Sequence, residues 1–86
     1  MKSKSEIVQI INDIIDAKIG AVYMASTILV SKDDEVLSLN ISDDNQSEEV
    51  LYALAKCYIK YKTESHCFWK LAHDIIDRVE KKVNAA

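Results

Sequence analysis

The chain has no proline, a single glycine, one tryptophan and one phenylalanine among its 86 residues. Without proline or glycine clusters there is no linker, low-complexity tract or repeat, so residues 1–86 are predicted to form one domain. A chain of this length buries roughly two thirds of its unfolded surface, enough for one modest core. One glycine also leaves no glycine-rich loop to cradle a phosphate. Two cysteines, Cys57 and Cys67, are too few for a disulfide framework. No apolar run approaches the length of a membrane span, and the N-terminus MKSKSE lacks the apolar stretch of a secretory signal. These absences predict a cytoplasmic protein with no membrane role. The formal net charge is −3, the wrong sign for a protein whose affinity comes from neutralising phosphates, so nucleic acid is not expected as a partner.

What the chain does have is one stretch that reads as sheet, Tyr23 to Ser42, between segments of helical spacing. Alternation is cleanest over Val36–Ser42, where Leu37, Leu39 and Ile41 point one way and Ser38, Asn40 and Ser42 the other. Upstream, Met24–Ser31 is rich in β-branched and aliphatic residues, and Lys32-Asp33-Asp34-Glu35 is a polar break of hairpin length. A turn centred on Asp33-Asp34 places Val30 opposite Leu37, Ile28 opposite Leu39 and Ser26 opposite Ile41. A slip of one residue would bury the wrong set, so the pattern selects this register and leaves Leu29 and Tyr23 on the second face. An isolated hairpin is marginal in water and needs helices on its apolar face.

Ser3-Lys4-Ser5-Glu6 is a capping box ahead of Ile7, Val8, Ile10, Ile11, Ile14 and Ile15. That helix is expected to end near Lys18, with Gly20 as a left-handed terminator; the rival is one long helix through Ser31. The acids and turn formers of 43–49 precede a second helix, about Glu48–Lys62, with Val50, Leu51, Leu54, Cys57, Tyr58 and Tyr61 facing inward. Opposite that arc lie Tyr52 and Ile59, which signal either a helix covered on two sides or an exposed partner-binding strip. Thr63-Glu64-Ser65 breaks the chain before a third helix, about Ser65–Val83, striped by Phe68, Leu71, Ala72, Ile75, Ile76, Val79 and Val83. The predicted class is α+β, in the order α-β-β-α-α, with an antiparallel hairpin covered by three helices.

The residues that could carry chemistry do not assemble into a motif. Cys57, His66, Cys67 and His73 follow no zinc spacing, and adjacent His66 and Cys67 diverge by about 100° on a helix, so no metal is expected. Cys57 reads as a small core residue and Cys67 as a partly exposed thiol. His73 with Asp77 is the sole base–acid pair at helical spacing, and it faces water instead of a cleft, so no catalytic residue, enzyme activity or cofactor is expected. Lys56, Lys60, Lys62 and Lys70 form a weak basic strip, the basis of a lesser, nucleic-acid-binding alternative.

Recognition of another protein remains. Residues 1–50 carry ten acids against four lysines, whereas residues 51–86 carry seven bases against four acids. The acids fall in two clusters, Asp33-Asp34-Glu35 at the hairpin tip and Asp43-Asp44-Glu48-Glu49 before the second helix. A strand of roughly 20 Å separates them. In layout the chain resembles the small phage-encoded inhibitors of CRISPR nucleases, some of which are acidic single domains with a helix, a short antiparallel sheet and two C-terminal helices joined by an acidic segment like ISDDNQSEEV. The basic C-terminal half and low net charge depart from that pattern. The resemblance implies a non-enzymatic anti-CRISPR-like antagonist, encoded by a phage and acting in the host cytoplasm, whose acids stand in for DNA phosphates on a nuclease complex. The partner-binding residues expected are Asp33, Asp34, Glu35, Asp43, Asp44, Glu48, Glu49, Tyr52 and Ile59, against a larger protein with a basic surface. The alternative is a self-associating homodimeric adaptor that buries the hairpin edge or the Tyr52/Ile59 strip.

Overall fold

The computed structural model describes residues 2–61 and 66–85. Its elements are α1 (Lys4–Ile15), β1 (Gly20–Met24), β2 (Thr27–Lys32), β3 (Glu35–Asn40), α2 (Glu48–Tyr61) and α3 (His66–Ala85). The class is α+β, as expected, with one strand more than the sequence showed. The break at 63–65 and Lys62 lie outside the described residues.

Helix α1 starts where the capping box predicts. The Glu6 N–H donates to Ser3 Oγ at 3.3 Å, and the Ser3 hydroxyl donates to the Glu6 carboxylate at 3.2 Å. Its end corrects the expectation. The helix stops at Ile15, and the left-handed residue is Ala17, at φ 62°, not Gly20. The Ala17 N–H donates to the Ile14 carbonyl at 2.8 Å and the Lys18 N–H to the Asp13 carbonyl at 2.7 Å, the paired bonds of a Schellman terminator. With the chain already turned at Ala17, Gly20 is free to open β1. Helix α2 is capped by Ser47, whose Oγ accepts from the Val50 N–H at 3.3 Å.

The sheet is antiparallel in the order β1-β2-β3. Val30 pairs with Leu37 and Ile28 with Leu39, and the Ile41 N–H donates to the Ser26 carbonyl at 3.0 Å, so the predicted register holds. Asp33 (φ 52°) and Asp34 (φ 64°) both have positive φ, the pattern of a type I′ hairpin turn. Upstream, the expected single strand Met24–Ser31 is two strands, because a second two-residue connection, Ala25-Ser26, folds β1 back on β2 with Met24 opposite Thr27. Reversal at that point returns Tyr23 to the core face, opposite Ile28, instead of the second face where an unbroken strand would put it.

All three helices lie on one side of the sheet. Ile28, Val30, Leu39 and Ile41 from the strands meet Ile10, Ile11 and Ile14 of α1, Val50, Leu54, Cys57 and Tyr58 of α2, and Ala72 and Ile75 of α3. Burying each large side chain contributes about 1.5–3 kcal/mol. Helix α2 is central, with α1 on one flank and α3 on the other. The Tyr61 hydroxyl donates to the Ile14 and Ile15 carbonyls at 3.1 and 3.0 Å. Lys60 Nζ donates to the Ile15 carbonyl as well, so α2 satisfies the Ile15 carbonyl and adds a second donor to that of Ile14, which already accepts from Ala17.

Candidate functional site

Strand alternation gives the sheet a second face that no helix covers. Its positions are Gly20, Val22 and Met24 on β1, Thr27, Leu29 and Ser31 on β2, and Val36, Ser38 and Asn40 on β3. Val22 is 58% exposed, Met24 59% and Val36 70%. Val22 pairs across the strands with Leu29, which pairs onward with Ser38, and Val36 pairs with Ser31, so apolar and polar residues share this face. Gly20, Val22, Leu29, Ser31 and Val36 line one shallow depression of about 390 Å³.

The acidic tip stands at one end of this face. Asp33 and Asp34 are exposed at the apex of the β2–β3 turn. Among the described residues neither makes a salt bridge or a side-chain hydrogen bond, although the charge of Asp33 reaches Lys2. Glu35 is held by Lys2 Nζ at 3.1 Å, and the same contact raises the Lys2 pKa through hydrogen bonding and charge attraction.

The second acidic cluster is largely turned inward on the protein's own bases. Glu49 meets Lys4 at 3.1 Å, and Glu48 meets Lys82 at 3.0 Å and Arg78 at 3.9 Å. These pairs fasten the start of α2 to α1 and to the end of α3. Asp43 accepts from the Asn45 N–H at 2.9 Å as an Asx turn, and Asp44 is exposed. Tyr52 and Ile59 are both half-buried. Ile59 packs against the core. Tyr52, under Lys56 Nζ at 4.5 Å from its ring centroid, lies in a groove of about 460 Å³ with Glu48, Glu49, Val8 of α1 and Val79 of α3. Glu48, Glu49 and Tyr52 therefore converge on one groove; Asp33, Asp34 and Glu35 occupy the hairpin tip, and Ile59 lies in neither.

Of the basic strip, Lys56 lies over Tyr52 and Lys60 is spent on Ile15, while Lys62 is outside the described residues. Cys57 is buried and Cys67 exposed, both free. Cys57 Sγ lies 3.3 Å from the Tyr23 hydroxyl, and burial raises the pKa of both groups. The His73 ring meets Trp69 edge-on at 4.6 Å. Among the described residues no three His, Cys, Asp or Glu side chains gather as a metal would require, and no helix is long and apolar enough to cross a membrane.

Sequence reasoning reached the tip and missed the face beside it. Val36 carried a signal, since its parity opposes Leu37 and Leu39 on an exposed-facing position. Val22 and Met24 carried none, because their face is defined only once β1 is known to turn back. No protein-family model, curated protein or solved structure matches the chain.

Proposed function

We propose that this chain is a non-enzymatic protein-binding module that docks on a larger protein with a basic surface, acting as an antagonist of the anti-CRISPR kind. The observation that carries the reading is the open sheet face, with Val22, Met24 and Val36 more than half exposed beside the carboxylates of Asp33 and Asp34. Exposed apolar positions at the centre and charge at the rim are the ordinary anatomy of a recognition surface. Turn chemistry supports it too. A type I′ turn is met best by Asn-Gly, yet this one holds two adjacent carboxylates in left-handed backbone. A basic partner would offset that local cost. Antagonism of a nuclease is the form the layout resemblance gives to this docking.

The test uses a variant that improves the fold while removing the charge. Asp33→Asn/Asp34→Gly supplies the preferred turn and is expected to raise stability by about 0.5–1 kcal/mol. A partner captured from lysate and then purified should bind this variant and Val36→Lys at least tenfold more weakly than wild type, and bind wild type more weakly as salt rises. Asp43→Lys/Asp44→Lys, beyond the end of β3 opposite the acidic tip, should leave the affinity within twofold. Unchanged binding by the better-folded turn variant would refute the reading, because loss of fold could not be invoked.

A further inference from the structure

We propose that the free edge of β1 pairs with the same edge of a second copy of this chain, antiparallel about a two-fold axis at Val22. The two three-stranded sheets would then join as one continuous sheet. The inference stands apart from docking on a basic partner, and neither requires the other.

Backbone geometry fixes which groups are available. Met24 and Thr27 flank a two-residue connection, which makes them a hydrogen-bonded pair. Alternation from there turns the N–H and C=O of Ala21 and Tyr23 outward, away from β2. The bond from the Ile41 N–H to the Ser26 carbonyl at 3.0 Å shows the same alternation on the far side of β2. Among the described residues no turn, loop or cap bond between backbone groups involves residues 20–24. Four main-chain groups therefore stand ready along one edge.

The two edges of the sheet differ in how they are guarded. β3 opens on Glu35, clipped by Lys2 at 3.1 Å, and charge on an edge strand discourages pairing. β1, with the sequence Gly-Ala-Val-Tyr-Met, carries no charge and no proline.

The strand also fits itself. A two-fold axis at Val22 sets Ala21 opposite Tyr23 of the second copy, and Gly20 opposite its Met24. Small meets large at each pair, and the outward-facing groups of Ala21 and Tyr23 bond each other in both directions. Beside Ala21 on the helix side, Ile14, Ile19, Tyr23 and Tyr61 line a cleft of about 220 Å³, which the Tyr23 ring of the second copy would cover.

Charge permits this orientation. Gly20 lies at the Asp33–Asp34 end of the sheet, since it pairs with Ser31. Antiparallel pairing therefore sends the two acidic tips to opposite ends, roughly 30 Å apart by strand rise and spacing. That is several times the screening length of about 8 Å at physiological salt. An interface built on a short strand is small, so the dimer is expected to be weak, dissociating in the roughly micromolar-to-millimolar range.

The experiment is sedimentation equilibrium of the full chain from about 1 µM to 1 mM, spanning that range. Wild type should move from monomer toward dimer mass. Val22→Lys, which places two like charges opposite each other at the axis on a position already exposed, should remain monomeric, as should Ala21→Pro, which removes the outward N–H. Circular dichroism checks that each variant is folded; should Ala21→Pro fail that check, Val22→Lys decides. Val36→Lys, on the same face but the other edge, should dimerise like wild type. A wild type monomeric at 1 mM would overturn the proposal. So would loss of the dimer in Val36→Lys, since that would mean the faces stack instead of the edges pairing.

Discussion

The two faces of the sheet are made from the same three strands, yet one is the core and the other is open. Ile28, Val30 and Leu39 on the helix side are almost wholly buried, while Val22 and Val36 on the far side are mostly exposed. An exposed valine is ordinary by itself. Val22, Leu29 and Val36 together on one face are less so, because Thr27, Ser31 and Ser38 show that polar residues fit the same face. Serine or threonine at those positions would keep strand propensity and favour water. The helix-side face is explained by folding, and the open face is the one that the proposed docking would cover.

The largest expected effect tests that division directly. Ile28→Ala deletes a fully buried side chain and should lower unfolding free energy by about 2–5 kcal/mol in denaturant titration. Val36→Lys, on the neighbouring strand and the opposite face, should change it by about 0.5 kcal/mol or less. Similar losses at both sites would mean that the open face is structural after all, and the contrast between the faces would fall.

The same contrast decides what was legible in the sequence. β2 and β3 were readable because their two faces differ: Leu37 and Leu39 alternate with Ser38 and Asn40, and a period of two survives. β1 was not, because Ala21 and Tyr23 point inward while Val22 and Met24 point outward, and apolar residues at every position have no period. Ala25-Ser26 also lacks the Asn-Gly, Asp-Gly or Gly-X signal of a two-residue turn, although Ala25 takes a positive φ of 54°. Misplacing that turn moved Tyr23 to the wrong face. The acidic tip was legible because charge clusters are visible in the chain itself. The ion pairs of Glu48 and Glu49 were not, because they depend on where α1 and α3 arrive.

A second prediction concerns the helix side of β1, where Tyr23 and Cys57 meet at 3.3 Å. Burial holds the Cys57 thiol above its ordinary range, and that of Tyr23 is raised as well. A raised pKa means that the folded protein keeps a proton which the unfolded chain gives up. The stabilisation is therefore complete below the unfolded thiol pKa of about 8.5 and is lost as pH rises through and beyond it, by at most about 1.4 kcal/mol per pH unit for each group. Denaturant midpoints should fall from about pH 8.5 to 10, and Cys57→Ala should flatten part of that slope. Parallel slopes would show that the thiol ionises as it does in the open chain, and so that this side of β1 is wetter than it looks. A smaller effect belongs to Tyr61→Phe. Removing a hydroxyl that serves the Ile14 and Ile15 carbonyls should cost about 1 kcal/mol.

The smallest expected effect is a gain, at the joint that delivers β1 to the sheet. Ala17 holds φ at 62° in the terminator of α1, where its Cβ is unfavourable and glycine is preferred. Ala17→Gly should add about 0.5–1 kcal/mol of stability, read as a higher denaturant midpoint with an unchanged slope. Because Ala17 precedes β1 and lies off the open face, the substitution should leave partner docking as it is in wild type. A destabilised variant would show instead that the flexibility glycine brings to the unfolded chain outweighs relief of the left-handed backbone. The route from α1 into the third strand would then be held by the packing of Tyr23 and Tyr61, whose rings stack at 5.3 Å, and not by the helix terminator.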